Sequence, residues 1–490
     1  MPRGKSPHAL DLPRPTSWLD KAGVNKQDGA YEALRSAILT KMLPAGSRLP
    51  SSRTLAERWE LSRGTIETVF DRLHAEAYVT RVPGSGTRVC AVVPERFLMA
   101  GFADATPAGT FSAPIPVSDT GVRDGLPFVA RRADASLFPM AAWSKCATRA
   151  LAAATPEQLC SADPAGLPQL RQQIADFLAK YRGIRCDPQD IVVTTGIRHA
   201  IDLLARSIVR DGDKVCLEEP GYPAARALFA LAGAVPVDIA VDAEGIDCAA
   251  LAAHADASLA YVTPSHQMPL GVSMSLPRRL ALLAWAAHNK AWLVEDDYDS
   301  EYRYTGAPLA SLQSLDRAGC VVYVGTLSKV LFPGLRLGYM VAPPALADAL
   351  VQAKAVMDRH TAIVPQMALA DFIAEGHFGR HIRRTRDSNA ERRDLLVRGI
   401  ARELGDQLAC GPADSGLELC AYFRAGHDEE TVARAGLEHG IELRPLGHYA
   451  DPAAGPECAT PRGLLLGFAA IPPAEMAHGL QELGRILRGR

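Results

Sequence analysis

VYVGTLSKVLFPGLRLGYMVAP, residues 322–343, consists of two apolar runs around a short polar break, and the break holds one lysine, Lys329. Apolar runs of this length without alternation read as strands buried on both faces. A lysine set between two such strands loses water around its amine. Its pKa falls, and the free amine becomes a usable nucleophile. The stretch therefore predicts an α/β sheet with a reactive amine at its edge.

Working outward, further short apolar runs occur at IVVTTG (191–196), KVCLEEP (214–220), LAYVTP (259–264) and AWLVEDD (291–297), followed by VVYVG (321–325) and LGYMVAP (337–343). Helical patterns such as HAIDLLARSIV lie between most of them. This alternation predicts a mostly parallel sheet covered on both faces. Ligands in such sheets sit beyond the carboxyl ends of the strands. Gly196, Tyr222, Asp296 and Lys329 all fall at those ends.

An amine of this kind is the attachment point that pyridoxal 5′-phosphate uses, as a Schiff base. That cofactor asks for partners, and each has a candidate. Asp296 can keep the pyridine nitrogen protonated, and Tyr298 can donate to the phenolic oxygen. Gly196 and Ile197 open a helix whose N–H groups can meet the phosphate, with Arg336 as the cation. Tyr222, in EEPGYP, can supply an aromatic face to the ring.

The N-terminal end has a different pattern. A helix is expected at about 28–42, with Tyr31, Leu34, Ile38 and Met42 on its inner face. PAGSRLP breaks it, and Ser51 or Ser52 caps a second short helix. Ser62 caps a third, with Ile66, Val69, Phe70 and Leu73 inward and Arg63, Thr65, Thr68 and Arg72 outward. YVTRVPGSGTRV (78–89) then reads as two strands joined by a turn. Two short helices across a tight turn, followed by a wing, can place the second helix in the major groove.

The bulk numbers agree with two or three domains in 490 residues. Residues 1–90 carry a net +5 and the remainder −7, a modestly basic head on an acidic body. Ten cysteines without metal-ligand spacing suggest reduced thiols and no metal site. No apolar run is long enough to span a bilayer, and no secretory signal is visible, so a cytoplasmic protein is expected. Three segments follow: a DNA-binding domain at 24–90, a Pro/Gly/Ala-rich linker at 91–125 and a globular body at 126–490.

LPSSRTLAERWELSRGTIETVFDRLHAEAYVTRVPGSGTRV resembles the GntR-type winged helix. The resemblance implies Arg53, Arg63, Thr65 and Thr68 as DNA contacts and Gly84 and Gly86 as shapers of the wing tip. Glu67 stands where many relatives carry a basic residue. TLSKVLFPGLRLG is similar to the lysine motif of class I aminotransferases, the pyridoxal-phosphate-dependent transferases of fold type I. That match implies a large, mostly parallel domain, a small C-terminal α/β domain, and Thr326 and Ser328 at the phosphate.

Together the halves resemble the MocR family of regulators. TPSHQMPLG (263–271) carries that family's Ser-His-Gln wording, with Met268 where true aminotransferases have an asparagine. The resemblance implies a homodimer that binds promoter DNA. An amino compound would be sensed by taking the lysine's place in the Schiff base. Leu465 occupies the position where an effector carboxylate would meet an arginine, which leaves Arg226, Arg444 and Arg462 as candidates. The alternatives are a working aminotransferase with an appended head, or a repressor whose body is only a dimerisation scaffold.

Overall fold

The computed structural model describes residues 12, 14–19, 25–82, 86–91, 125–306, 309–424 and 426–489. Gly84 and nearly all of the expected linker lie outside the described residues. The chain divides into two compact units, Met1–Pro114 and Ile115–Arg490.

In the first unit, helices Lys26–Leu39, Ser52–Trp59 and Arg63–Ala75 precede two antiparallel strands, β1 (Val79–Val82) and β2 (Gly86–Val89). The Ser51 hydroxyl accepts from the Thr54 N–H at 3.1 Å, and the Ser62 hydroxyl from the Thr65 N–H at 3.0 Å. Each such cap is worth about 1 kcal/mol. Ile66, Val69, Phe70 and Leu73 form the buried stripe.

One expectation needs correction. The first helix ends at Leu39, capped by Thr40, so the three-to-four-residue step breaks before Met42. Met42 is 62% exposed, and Leu43 points inward in its place. Arg72 faces outward as expected and is engaged on the helix surface. Its guanidinium lies 3.8 Å from the Tyr31 ring centre and pairs with Glu76 and Asp28.

The second unit contains an eight-stranded sheet. Its strands are β3 (Ile191–Thr194), β4 (Lys214–Glu219), β5 (Val235–Asp242), β6 (Gly245–Ile246), β7 (Leu259–Val262), β8 (Trp292–Asp297), β9 (Val321–Thr326) and β10 (Gly338–Val341). Their order is β3-β10-β9-β8-β7-β4-β5-β6. The run β9-β8-β7-β4-β5 is parallel throughout. β10 runs antiparallel to both of its neighbours. Because β10 enters from the edge at which β9 leaves, the turn between them keeps Lys329 and Arg336 at the same edge. Gly338 allows a close crossing there, since a Cβ on it would come 3.0 Å from the Gly196 Cα. β5 was not among the expected strands. It is only partly buried, and Pro236 interrupts its apolar pattern.

The small sheet is antiparallel, in the order β11 (Leu408–Cys410), β12 (Glu418–Phe423), β14 (Gly463–Gly467), β13 (Arg444–Pro445). The segment 127–131 is hydrogen-bonded beside it. The Glu442 N–H donates to the Pro127 carbonyl, and the Gly467 N–H to the Phe128 carbonyl, both at 3.0 Å. Among the described residues no helix is long and apolar enough to cross a membrane.

Candidate functional site

β8, β9 and the turn after β9 converge on Lys329. Its Nζ donates to the Arg131 carbonyl oxygen at 2.6 Å. Burial pushes the amine's pKa down to about 7. Arg131 adds to that, while Glu418 and Asp299 oppose it. At neutral pH much of this amine is free base, whereas an ordinary lysine is almost wholly charged.

Asp296, next to last in β8, is buried. The Tyr261 hydroxyl donates to one of its oxygens. The other, Oδ1, is buried with no hydrogen-bond partner among the described residues. Burial raises the Asp296 pKa to about 7, against the Tyr261 hydrogen bond. A buried carboxylate oxygen without a donor is costly. A pyridinium N–H is the kind of donor it lacks.

Tyr298 is buried, with its Oη 3.2 Å from His266 Nδ1 and 3.9 Å from Met268 Sδ. His266 in turn pairs with Asp299 at 2.9 Å. Burial disfavours charge on the imidazole, but the Asp299 carboxylate outweighs it and the His266 pKa is raised.

Gly196 has φ +126° and caps the helix Ile197–Ile208 without a side-chain cap bond. The Arg336 Nη1 lies 3.7 Å from where a Cβ on Gly196 would sit. Thr326 Oγ1 accepts from the Ser328 N–H at 3.3 Å. The edge thus brings together a helix N-terminus, two hydroxyls and a guanidinium, a donor set suited to a phosphate. The Tyr222 hydroxyl accepts from Arg198 Nε at 3.2 Å, and the Arg131 guanidinium lies 4.9 Å from its ring centre. Lys329, Asp296, Tyr298, Tyr222, Gly196, Ile197, Thr326, Ser328 and Arg336 all fall along this one edge. The residues present fit pyridoxal 5′-phosphate, whose ring nitrogen, phenolic oxygen and phosphate each find a counterpart.

The three candidate carboxylate arginines are not brought together at Lys329. Arg226 is held by Glu219, Asp238 and Asp451. Arg444 pairs with Glu442 at 3.2 Å, and Arg462 is exposed. Leu465 is fully buried in an apolar cluster with Met268, Tyr298, Leu446 and Tyr449. Residues missed in the sequence stand closer. Arg131 carries the carbonyl that Lys329 meets. Glu418, 2% exposed, accepts the Arg131 N–H at 2.9 Å. A lone carboxylate in the apolar run GLELCAYF was the available signal for Glu418; Arg131 lay in no motif.

On the first unit, Arg63 and Thr68 are exposed, Thr65 is partly so, and Arg53 is exposed beside Glu57. Gly86 has φ +83°, and the Arg48 side chain packs against it. Arg81 of β1 pairs with Glu67 at 3.2 Å and Asp71 at 2.7 Å, pinning the wing to the outer face of the third helix.

The aminotransferase class I and II family matches residues 132–483, and the bacterial regulatory proteins of the gntR family match 26–89. The chain is 36% identical to the probable rhizopine catabolism regulatory protein MocR of Rhizobium meliloti, covering 92% of each chain. It is 33% identical to the pyridoxine biosynthesis transcriptional regulator PdxR of Corynebacterium glutamicum, covering 85% of this chain and 87% of the other. The α-aminoadipate aminotransferase LysN of Thermus thermophilus, solved with N-(5′-phosphopyridoxyl)-L-leucine, matches with TM-score 0.67 and 30% identity over 74% of this chain and 92% of its own. With a GntR head, an aminotransferase-like body and similarity to MocR over 92% of each chain, this chain belongs to the MocR-type GntR transcription regulators, whose aminotransferase-like domain is of the pyridoxal-phosphate-dependent kind.

Proposed function

We propose that this transcription regulator senses an amino compound through pyridoxal 5′-phosphate held at Lys329 and changes its hold on promoter DNA in response. The observation that carries the reading is a half-buried lysine, hydrogen-bonded to the Arg131 carbonyl and with a pKa lowered to about 7, at the same sheet edge as the Asp296 oxygen that lacks a partner among the described residues. When bound, the cofactor supplies an aldehyde carbon that an amine can occupy in place of the lysine. Asp296 would hold a proton at the pyridine nitrogen, and Tyr298 would donate to the phenolic oxygen. Arg336, the helix start at Gly196 and Ile197, and the Thr326 and Ser328 hydroxyls would bind the phosphate. Tyr222 would flank the ring. Lys329 Nζ, released from the aldehyde carbon, would take up or give back a proton.

Segment 24–90 is the DNA-binding domain in this reading, 91–125 the tether and 126–490 the effector domain. Arg53, Arg63, Thr65, Thr68, Gly84 and Gly86 are its DNA-facing residues. A homodimer with two heads would read two half-sites. DNA affinity would change to the extent that the effector binds the two states of the body differently. Met268 near the Tyr298 hydroxyl, and Leu465 in place of an arginine, favour sensing over dedicated transamination.

The test is a gel shift on the gene's own upstream DNA, with and without cofactor, across a panel of amines and amino acids. Alongside it, borohydride should fix the cofactor onto the wild-type chain and not onto Lys329→Ala. A colourless protein that borohydride leaves unmodified would end the cofactor assignment.

A further inference from the structure

We propose, building on that reading of Lys329, that the effector is an amine lacking a carboxylate, and that its second hydrogen-bond donor, a hydroxyl or an amino group, is received by Glu418.

Glu418 begins β12 and is 2% exposed. Its Oε2 accepts the Arg131 N–H at 2.9 Å, while its Oε1 is buried with no partner among the described residues. The carbonyl of that same Arg131 accepts from Lys329 Nζ at 2.6 Å. The carboxylate and the reactive amine are thus joined to the two backbone polar groups of one residue. Glu418 also opposes the drop in the Lys329 pKa, so the two are electrostatic neighbours, and a ligand that bonds where the amine sits is offered the unfilled oxygen as an acceptor.

Asp299 adds to the same polarity. It is 1% exposed, with Oδ2 on His266 at 2.9 Å and Oδ1 buried without a partner among the described residues. Buried acceptors lacking donors are expensive, and a ligand donor relieves that cost. Hydrogen bonds to a charged acceptor in a dry site are the stronger kind.

An anionic group would meet the reverse situation. It would be desolvated beside Glu418 and Asp299, which repel it. The backbone N–H of Arg131 is already taken by Glu418. Arg226 is held by three carboxylates, Arg444 pairs with Glu442, Arg462 is exposed, and Leu465 is part of an apolar cluster. The rival is Arg131 itself, whose Nε is buried without a partner among the described residues. Its guanidinium, however, is already packed against the Tyr222 ring at 4.9 Å. A carboxylate-bearing effector held by Arg131 is therefore the opposing outcome.

The experiment uses the full chain loaded with pyridoxal phosphate and three amines on one four-carbon chain: putrescine, aminobutanol and aminobutyrate. Ethanolamine against glycine repeats the comparison on a shorter chain. The readout is the change in cofactor absorbance as each amine takes the lysine's place. The alcohol and the diamine should half-saturate at concentrations at least about tenfold lower than the acid, the size expected for one charge-assisted hydrogen bond. Glu418→Gln, checked for an unchanged melting profile, should narrow that gap, and Arg131→Met should leave the ranking as it is. If the acids bind as well or better, or if the ranking ignores Glu418→Gln, the inference is overturned. A wild-type chain that takes up no cofactor would instead overturn the reading of Lys329 on which it rests.

Discussion

The Lys329 Nζ donates to the carbonyl oxygen of Arg131, 198 positions earlier in the chain. Arg131 belongs to the segment that the chain enters on leaving its expected linker. The same segment is fastened to the small sheet at Glu442, Gly467 and Glu418. Any ligand that changes what the Lys329 amine bonds to also changes one of the ties on that segment. The site and segment 127–131 are thus tied by a few hydrogen bonds, and mutation can cut them.

The first prediction concerns pH. Lys329 has its pKa lowered to about 7 by burial, so its amine is free below the usual lysine range and is lost to protonation only as pH falls through about 7. Asp296 has its pKa raised to about 7 by burial, so it becomes an anion as pH rises through the same value. Both changes favour cofactor capture in the same direction. Retention of pyridoxal phosphate should therefore climb between about pH 6 and about pH 8 and then level off. Asp296→Asn should lose the carboxylate's share of that rise and weaken retention by about 1.5–3 kcal/mol. Equilibrium dialysis at several pH values measures both.

A second prediction concerns Gly467. A Cβ at this position would collide with the Val129 carbonyl oxygen and crowd Ala130. Gly467→Ala should push segment 127–131 off the small sheet at a cost of about 1–3 kcal/mol, the range for overpacking. Proteolysis near that segment should speed up, while the head, a separate compact unit, keeps its DNA affinity. If effector still alters DNA binding to the wild-type extent, the segment does not carry the signal.

His266 and Asp299 give a third. His266 has its pKa raised by the Asp299 carboxylate against burial. A raised imidazole pKa stabilises the fold fully below the unfolded value, and the benefit fades as pH rises through the folded one. His266→Gln removes the imidazolium that opposes the burial-raised pKa of Asp299, whose carboxyl then protonates at mildly acidic pH, and should cost about 1–3 kcal/mol there. The gap from wild type should shrink as pH rises. Adding Asp299→Asn should recover most of the loss, which a denaturant melt of all three proteins would reveal.

What could be read beforehand follows from how local each signal is. Lys329, Asp296 and Gly196 stand at the ends of apolar runs, so strand direction alone assigns them to one edge. Ser51 and Ser62 announce their helices within three residues of each cap bond. Arg131 and Glu418 meet across 287 positions, and no periodicity reaches that far. Met42 was misjudged because a helix pattern carries no mark of where the helix ends. β5 was missed because Pro236 and partial exposure blur an apolar run that longer strands keep clean. Arg226, Arg444 and Arg462 stand as candidates for an effector carboxylate only because the strand position expected to supply an arginine holds Leu465, which the structure buries in an apolar cluster.

The last prediction concerns the head, where Glu67 and Arg63 should act in opposite directions. Glu67 lies on the outer face of the third helix, where it holds Arg81 of the wing at 3.2 Å. The pair is partly exposed, so losing it should change stability by less than about 1 kcal/mol. Its electrostatic effect on DNA should be larger, because a carboxylate on that face opposes phosphate and base acceptors alike. Glu67→Ala should therefore tighten non-specific binding, while Arg81 stays paired with Asp71 at 2.7 Å and the salt slope changes little. Arg63 is exposed at the start of the same helix. Arg63→Ala should cost about 1–3 kcal/mol and relax discrimination at a single base position if the arginine reads a guanine. A uniform loss across sequences, with a shallower salt slope, would make Arg63 a phosphate contact and move base reading to Thr65 and Thr68. Affinity measured over a salt series on operator and scrambled DNA separates these outcomes.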